Sequence, residues 1–291
     1  MSVVWERRRT ALRSGWREFT AQRSGVAGLV VLGVAVAVAV LGPLLTGASA
    51  LDVTRVEAAA WEPPGPGHWL GTDHTGRSVA LLVLNGTGAS MLVGLTAAAL
   101  SVAIGTLVGI ASGHFRGWPA SALMRVTDFF LVVPQLVLAI ALSAVLPRGL
   151  GTIVLAIGLT SWPATARVVR AQTLAVEARP YVERAHALGG GHLHVIAHHV
   201  VPAVLPLVLV NTTLAVASSI VSESTLAFLG LGDPTHLSWG TLLHQAQLFG
   251  AVSKEAWWFL LPPGLGIMGL VLAFTLVGRA LETVINPRLR S

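Results

Sequence analysis

The chain has no cysteine, a single lysine and a single tyrosine, and only 11% of its 291 residues are charged. The absence of cysteine excludes disulfides, a thiol nucleophile and a cysteine-linked lipid anchor. The lysine, Lys254, follows a serine, so the Gly-Lys of an ATP-binding P-loop is missing. A Gly-x-Ser-x-Gly nucleophile elbow is also absent. The sequence therefore excludes an ATPase motor and shows no motif of a serine hydrolase.

Long apolar segments are what the chain has instead, since 54% of its residues are hydrophobic. A helix needs about 20 apolar residues to cross the hydrocarbon core of a bilayer. We therefore predict an all-α membrane protein in which a basic cytoplasmic segment, 1–25, precedes a transmembrane domain over 26–291. The six predicted membrane spans are 26–46, 88–112, 126–147, 150–168, 204–222 and 257–278.

Two of the prolines bear on the course of the third and fourth predicted spans. Pro134 lies inside the third span, and Pro163 follows the short apolar core of the fourth. Helix-forming sequence continues beyond Pro163 as far as Glu177. Because an interior proline removes a helix hydrogen bond but is tolerated at a kink, we expect Pro163 to bend the fourth helix without ending it.

The basic residues are divided unevenly between the two sides of the predicted membrane domain. Six spans put both termini on one side, and 15 of the 19 arginine and lysine residues lie on that side. The acidic residues divide almost evenly, six against seven. Because cytoplasmic segments carry the excess of positive charge, both termini are predicted to be cytoplasmic. The net charge of +6 therefore indicates membrane topology rather than nucleic-acid binding.

A polar cytoplasmic segment over 169–202 separates the fourth and fifth spans. Within it, Pro180 suits the first position of a helix, and Gly189 suits the position just past a helix end. The two turns between them are too short to be stable alone in water. A helix at this place therefore needs a surface on which to dock.

One face of this short helix is predicted to be aromatic, small and apolar. Tyr181, Ala185 and Leu188 are spaced to lie together on it, while Glu183 and Arg184 lie off it. A small residue in the middle of such a face allows the backbone of another helix to approach closely. This face suits contact with a partner, whereas a tethered loop at the membrane interface is the alternative that these residues alone favour.

Five histidines lie in the same segment and raise the possibility of a metal site. His194 and His198 are four residues apart and would share a helix face, with His192 and His199 as further candidate ligands. The HExxH motif of zinc proteases is absent, and three successive glycines leave the local geometry loose. We therefore predict no metal site, and keep a membrane metallohydrolase as a distant alternative.

Parts of this segment resemble the EAA loop of ABC-importer permeases: Tyr181–Ala185, then Gly189, then Val201-Pro202. In the family pattern, Glu-Ala-Ala is followed by a glycine and later by Leu-Pro. The chain departs from it at Arg184, where alanine is usual, and at Val201, where leucine is usual. In that family the loop forms a coupling helix, which inserts into a cleft on a separate cytoplasmic ATPase.

Three further motifs extend the resemblance over nearly the whole chain. They are similar to signatures of the C-type permease subunits of dipeptide, oligopeptide and nickel importers, with Ser78 standing where aspartate is usual. The motifs are His68–Asp73 with Gly76-Arg77, Phe228–Gly232 followed by Ser238–Gly240, and Asn286–Arg290.

The resemblance implies a type I ABC importer permease (MetI-like) fold in a bacterial plasma membrane. It implies a heterodimer with a B-type permease subunit, cytoplasmic ABC ATPase subunits or a fused ATPase, and an extracytoplasmic peptide-binding protein. Membrane lipid is a further expected partner, whereas nucleic acid is not. ATP and Mg²⁺ would be bound by the ATPase, and no cofactor is expected in this chain. The residues implied for ATPase coupling are Pro180, Tyr181, Glu183, Arg184, Ala185, Leu188 and Gly189.

Polar groups near the spans are few, and such groups are functional candidates. Glu223 is a candidate for the translocation path or outer gate, and equally for a cap on the outer loop. Asn211 is a second candidate for the path, with bonding between helices as the alternative. Phe228, in a glycine-rich outer segment, is a third. Asp128 is predicted to pair with Arg125, three residues earlier.

The predicted function is therefore that of a permease subunit of an ATP-driven importer for oligopeptides or dipeptides. Nickel or another small solute is the alternative cargo, because the motifs are shared among these importers. A stand-alone secondary transporter is less favoured, since such proteins usually carry charged residues in mid-membrane and the predicted spans do not.

Overall fold

The computed structural model describes residues 13–46, 56 and 58–285, and the regular elements within these residues are all helical. Parts of the basic N-terminal segment and of the first outer loop, and the Asn286–Arg290 motif, lie outside the described residues. The all-α fold class is confirmed. The helices after a helical stretch at 13–21 are α1 Arg23–Thr46, α2 Val79–His114, α3 Trp118–Val132, α4 Gln135–Val145, α5 Leu150–Glu177, α6 Pro180–Ala187, α7 His192–Val195, α8 Val201–Leu226, α9 Trp239–Leu248 and α10 Trp257–Ile285.

Five helical segments of the described chain are long and apolar enough to cross a membrane: α1, α2, α5, the run His192–Leu231 that contains α8, and α10. The pair α3 and α4 gives a sixth span if its two helices are counted together. Five-residue π-helical turns flank α8 at Ile196–Val200 and Ala227–Leu231. These segments correspond in order to the six spans predicted from the apolar sequence.

The third predicted span is broken in the structure. Helices α3 and α4 meet at an angle of 89° at a short break. Val133 is extended there, with φ −79° and ψ 128°, and Pro134 is the N-cap that precedes α4. Proline disfavours a helical conformation in the residue before it, which explains the position of the break. The prediction of Pro134 inside one uninterrupted span, 126–147, is corrected accordingly.

Helix α5 behaves differently at its own proline. It runs for 28 residues with Pro163 inside it, and so continues to Glu177 as predicted. Pro163 is buried. The loss of one helix hydrogen bond at this proline does not end α5.

Helix α2 is the central helix, and it packs along α5 and also against α8 and α1. Its 36 residues begin at Val79, ahead of the predicted start at 88. At about 1.5 Å per residue it is roughly 54 Å long, which exceeds the ~30 Å hydrocarbon core. The ends of α2 therefore reach into the polar regions on both sides of the membrane.

Glycines spaced four apart bring α2 close to α5. A methyl group at Gly109 would lie 2.7 Å from Cβ of Val169, and one at Gly113 would lie 2.7 Å from Cβ of Thr173. Gly105 is equally close to Thr165. Small residues at this spacing allow membrane helices to pack backbone to backbone, where apolar burial alone gives no driving force. The two helices therefore form one tightly packed unit.

Two apolar clusters lie at opposite ends of this unit. The outer one includes Leu82, Trp239 and Phe259. The cytoplasmic one is built of valines from α2, α5, α6, α7 and α8, with Val169 and Val200 fully buried among them. By contrast, α1 is apolar around its circumference and leaves many side chains exposed, as expected for a helix that faces lipid.

Candidate functional site

The predicted coupling helix forms α6, a two-turn helix between α5 and α7. Pro180 is its first residue, and Gly189 adopts φ +86° just past its end. The Gly189 N–H donates to the carbonyl of His186 at 3.0 Å, and the Gly190 N–H donates to the carbonyl of Ala185 at 2.9 Å. This pair of bonds is a Schellman motif, which satisfies the last carbonyls of the helix. Both predicted ends of the helix are confirmed.

The inward face of α6 differs from the predicted one. Val182 is fully buried in the cytoplasmic valine cluster, and Ala185 packs partly against the same cluster. Ala185 therefore faces the protein's own interior and does not share an outward face with Tyr181 and Leu188, so that prediction is wrong. The predicted face rests on the spacing of Tyr181, Ala185 and Leu188, and it leaves out Val182, which is the residue that the structure buries. The exposed residues of the helix and its C-cap are Pro180, Tyr181, Glu183, Arg184, His186, Ala187 and Leu188.

Leu188 is the most exposed apolar side chain of α6, at 88%, and Tyr181 is exposed to 42%. Arg184, at the position where the resemblance expects alanine, is exposed beside them. One buried valine thus holds the helix on the membrane domain while a mixed apolar and charged surface points away. Such a surface is suited to a protein partner.

The histidines of the segment 169–202 include two that stack on each other. His194 and His198 stack with ring centroids 4.4 Å apart, and Nδ1 of His198 lies 3.1 Å from the carbonyl oxygen of His194. No group of three or more His, Asp or Glu side chains among the described residues is arranged to hold a metal ion. The metallohydrolase alternative therefore has no site in this part of the chain.

Asn211 bonds between helices. Its Nδ2 donates to Oγ1 of Thr165 at 2.9 Å, which joins α8 to α5. Its side chain is half-buried. Of the two interpretations left open for Asn211, the structure favours bonding between helices.

Glu223 lies inside the protein rather than at an open surface. It is 1% exposed, and Oγ of Ser224 donates to its Oε2 at 3.2 Å. Ser90 of α2 and Ser238 of the outer loop also hydrogen-bond its carboxyl. A buried carboxyl needs such partners because an unpaired charge in the interior is costly. Glu223 therefore joins α8 to α2 and to the start of α9. Of the two roles predicted for Glu223, these contacts favour the one at the outer loop.

Ser238 is the N-cap of α9. Its hydroxyl accepts from the Thr241 N–H, and Oγ1 of Thr241 accepts from the Ser238 N–H at 2.8 Å, so the two residues form a capping box. The Trp239 N–H donates to Oγ of Ser90 at 3.0 Å, and its indole N–H donates to the carbonyl of Val83 at 2.9 Å. The Ser-Trp-Gly motif therefore fastens α9 onto α2.

Phe228 lies in the π-helical turn that follows α8, and its side chain is half-buried. Nδ1 of His244 on α9 lies 2.8 Å from the Phe228 carbonyl oxygen. Gly230, two residues on, adopts φ +83° and faces the ring of His244. The Phe-Leu-Gly-Leu-Gly motif thus reverses the chain between α8 and α9, and the described contacts of Phe228 are internal.

Asp73 organises the turn that leads into α2, and the sequence patterns gave it no role beyond a motif position. Its side chain is fully buried, and Oδ2 accepts from Nε and Nη2 of Arg77 at 2.9 and 2.8 Å. Oδ1 accepts from the N–H and hydroxyl of Thr75 and from the Arg77 N–H. An aspartate followed two residues later by threonine is a signal for such a turn.

Thr72 connects the same turn to α10. Its hydroxyl donates to the carbonyl of Ala59 and accepts from the Glu62 N–H, both at 2.8 Å. The indole N–H of Trp258 donates to the Thr72 carbonyl at 3.2 Å. Gly71, at φ +67°, leaves no room for a side chain, since a methyl would lie 2.6 Å from Trp258. The Leu-Gly-Thr-Asp motif therefore holds the outer loop together and connects it to α10.

A cavity of about 550 Å³ opens between the outer loops. Burial by itself would raise the pKa of Asp233, but hydrogen bonds from Thr235, His236 and the Leu150 N–H lower it to about 2. Asp233 therefore stays charged and holds the loop to the start of α5. The charged side chains, histidines and glutamine lining this cavity are Arg77, Arg148, Asp233, His236, His244 and Gln245.

The prediction that Asp128 pairs with Arg125 is wrong. Oδ1 of Asp128 accepts from Nη2 of Arg167 at 2.6 Å, so the pair links α3 to α5. Both side chains are more than half exposed, at 52% and 56%. An exposed pair of this kind contributes about 0–1 kcal/mol to stability.

Two family profiles match the sequence. Residues 105–291 match the "binding-protein-dependent transport system inner membrane component" family. Residues 10–64 match the N-terminal transmembrane domain of oligopeptide transport permease C. The first match covers more than half of the chain, and the second covers the region that precedes α2.

Several relatives align along almost the entire chain. A putative peptide transport system permease protein of Brucella suis is 38% identical over 275 residues, which covers 94% of this chain and 91% of the relative. A glutathione transport system permease protein of Pectobacterium atrosepticum is 33% identical over 97% of this chain and 93% of the relative. An oligopeptide transport system permease protein of Bacillus subtilis is 33% identical over 94% and 88%. The chain belongs to the family of inner-membrane permease components of binding-protein-dependent transport systems, as a permease of the oligopeptide C type.

Proposed function

We propose that this chain forms half of the translocation pore of an ATP-driven peptide importer and that α6 couples the pore to a cytoplasmic ATPase. The observation that carries this proposal is the construction of α6. Val182 is buried in the membrane domain, whereas Leu188 is 88% exposed and Tyr181 is 42% exposed. A two-turn helix of this kind is suited to being clasped between the permease and a partner.

The energy for transport comes from a partner protein. The chain carries no Gly-Lys of a P-loop, so ATP and Mg²⁺ belong on the ATPase subunits or on a fused ATPase. Closure of that ATPase around ATP displaces α6, and α6 transmits the movement to α5 and α8 through the valine cluster. The pore then alternates between outward and inward access.

Two further partners complete the assembly. A B-type permease supplies the other half of the pore, and an extracytoplasmic binding protein delivers the cargo to the outer loops. The excess of arginine on the side of the termini supports a cytoplasmic location for both termini in a bacterial inner membrane. The outer loops then present the cavity beside Arg148 and Asp233 to the binding protein.

The relatives support a peptide as the cargo. Their names specify peptide, oligopeptide and glutathione transport. Nothing in the described histidines adds support for nickel, since they are not arranged to hold a metal ion.

The first experiment is purification of the tagged chain from its native membranes, with mass spectrometry of the proteins that accompany it. Recovery of a second permease and a P-loop ATPase is expected. Recovery of a homo-oligomer without an ATPase would contradict the proposal.

The decisive experiment measures ATP-driven peptide uptake in proteoliposomes that contain the whole assembly. Glu183→Lys reverses a charge on the exposed surface of α6, and we expect uptake to fall at least about tenfold, since central interface contacts contribute on the order of 1–2 kcal/mol or more. Glu282→Lys makes the same change on exposed α10 and serves as the control. Normal uptake by the Glu183→Lys variant would refute docking through α6.

A further inference from the structure

Three side chains form a continuous hydrogen-bonded chain at the cytoplasmic end of the helix bundle. Nδ1 of His114 lies 2.6 Å from Oε1 of Glu177, and Nε2 of His114 lies 2.9 Å from Nδ1 of His192. His114 is the last residue of α2, Glu177 is the last residue of α5, and His192 is the first residue of α7. This row of hydrogen-bonded side chains therefore joins the two central membrane helices to the loop that carries α6.

The partners of His114 determine the direction of these bonds. Its side chain is 2% exposed, so both ring nitrogens depend on protein partners. The carboxylate of Glu177 can only accept, so His114 donates its Nδ1–H to Glu177. The Nε2 of a neutral His114 then accepts the Nδ1–H of His192. If Nε2 of His114 gains a proton, its N–H and the Nδ1–H of His192 face each other. The hydrogen bond between the two rings is then lost unless His192 releases its Nδ1 proton.

Glu177 also faces the coupling helix itself. Its second oxygen, Oε2, lies 3.8 Å from Nε2 of His186 on α6. One carboxylate thus has the end of α2 on one side and α6 on the other. Val182 and, in part, Ala185 also attach α6 to the membrane domain through the valine cluster, and Tyr181 adds a ring contact with His199.

Water and other charged groups reach this place. A cavity of about 540 Å³ opens beside the three side chains. Arg170 of α5 lines an adjoining cavity and donates from Nε to the Ser112 carbonyl at 3.3 Å. The charged or titratable groups around the chain are Arg116, Arg170, Glu183 and His186.

We propose that Glu177, His114 and His192 are positioning residues that clamp the coupling loop to the ends of α2 and α5, and that the clamp holds only while the two histidines share a hydrogen bond. Because α2 and α5 are packed together through Gly109 and Gly113, a displacement of a clamped α6 moves both helices. With the clamp open, the valine cluster and a ring contact link α6 to the membrane domain, and less of the movement of α6 reaches α2 and α5. This proposal rests on the proposed coupling role of α6.

The test measures ATP hydrolysed per peptide transported by the assembly in proteoliposomes. His192→Leu removes the donor to His114, and we expect this ratio to rise roughly five- to tenfold at about pH 8. His192→Asn retains a side-chain donor and restores the wild-type ratio. His198→Leu changes a neighbouring exposed histidine outside the clamp and serves as the control. A wild-type ratio in His192→Leu would overturn the proposal.

Two further measurements distinguish a failure of the clamp from a failure of the proposed function. Absence of ATP-driven uptake by the wild-type assembly would refute the proposed function and not the clamp. Hydrogen exchange in the purified chain then tests the clamp directly, because His192→Leu is expected to accelerate exchange in α6 at least about threefold, and an unchanged rate would overturn it. Stoichiometric zinc or nickel in the purified wild-type chain would also overturn it, in favour of a metal at the histidines.

Discussion

The outer loops and the cytoplasmic coupling loop differ in how far each satisfies its own interactions. At the outer side, Asp73 is fully buried with its two oxygens bonded, and the indole of Trp258 reaches the Thr72 carbonyl. At the cytoplasmic side, α6 buries Val182 and leaves Leu188 almost fully exposed. The outer region is thus held by many internal bonds, whereas the coupling helix is held by few.

This difference follows from what each region has to do. Under the proposed function, the outer loops keep a defined shape for delivery of cargo, and buried hydrogen bonds to charged groups make a shape specific. Under the same proposal, α6 leaves surface free for a partner and moves with it. Elements that move are drawn from the less stable parts of a structure.

The largest expected effect is at Asp73. Asp73→Ala leaves Arg77, whose side chain is 12% exposed, without its carboxylate. Removing one partner of a buried ion pair costs about 3–5 kcal/mol, so thermal unfolding in detergent should shift strongly and protease should cleave the outer loop. Asp128→Ala removes an exposed ion pair instead and should cost at most ~1 kcal/mol. Equal stability losses in the two variants would contradict the expectation that the buried ion pair contributes more to stability than the exposed one.

A smaller effect is expected at the end of α6. Gly189 adopts φ +86°, and a methyl group added there would have no atom within 4 Å, so Gly189→Ala incurs only the backbone penalty of about 1–2 kcal/mol. Gly191 has the same open surroundings but an ordinary φ of −68°, which makes Gly191→Ala a matched control. Hydrogen exchange in α6 measures the difference. Equal exchange in the two variants would show that the Schellman end does not hold the helix.

The smallest effect concerns pH and His74. Burial against Phe249, whose ring lies 3.6 Å away, lowers the pKa of His74 from 6.5; Asp73 raises it and Arg77 lowers it. The unfolded chain therefore binds this proton more readily. The stability of the outer region should be full above pH 6.5 and should fall as the pH drops below it, until the folded-state pKa is reached.

His74→Phe keeps the stacking and should flatten this part of the stability profile. His68→Phe, in the same loop, should leave the profile unchanged. The measurement is the thermal midpoint in detergent across the pH range, and a wild-type slope in His74→Phe would contradict the assignment.

Local signals predict much of the fold and part of the site. Pro163 lies within a continuing helix, and Pro180 and Gly189 bound α6, as the sequence indicates, because each residue acts on its own backbone. The spacing argument fails for Ala185, since Val182 competes with it for the interior. It fails again for Asp128, whose partner Arg167 is 39 residues away.

The sequence by itself determined that this is an all-helical membrane chain, because uncharged runs long enough to span a bilayer and the backbone preferences of proline and glycine are local properties. Only the tertiary structure decided which polar groups meet. Glu223 meets Ser90 and Ser238 inside the protein, and His114 meets Glu177 and His192 across 63 and 78 residues. Such meetings depend on how closely α2, α5 and α8 pack, and that is set by side-chain volume in three dimensions, which no periodicity along one segment contains.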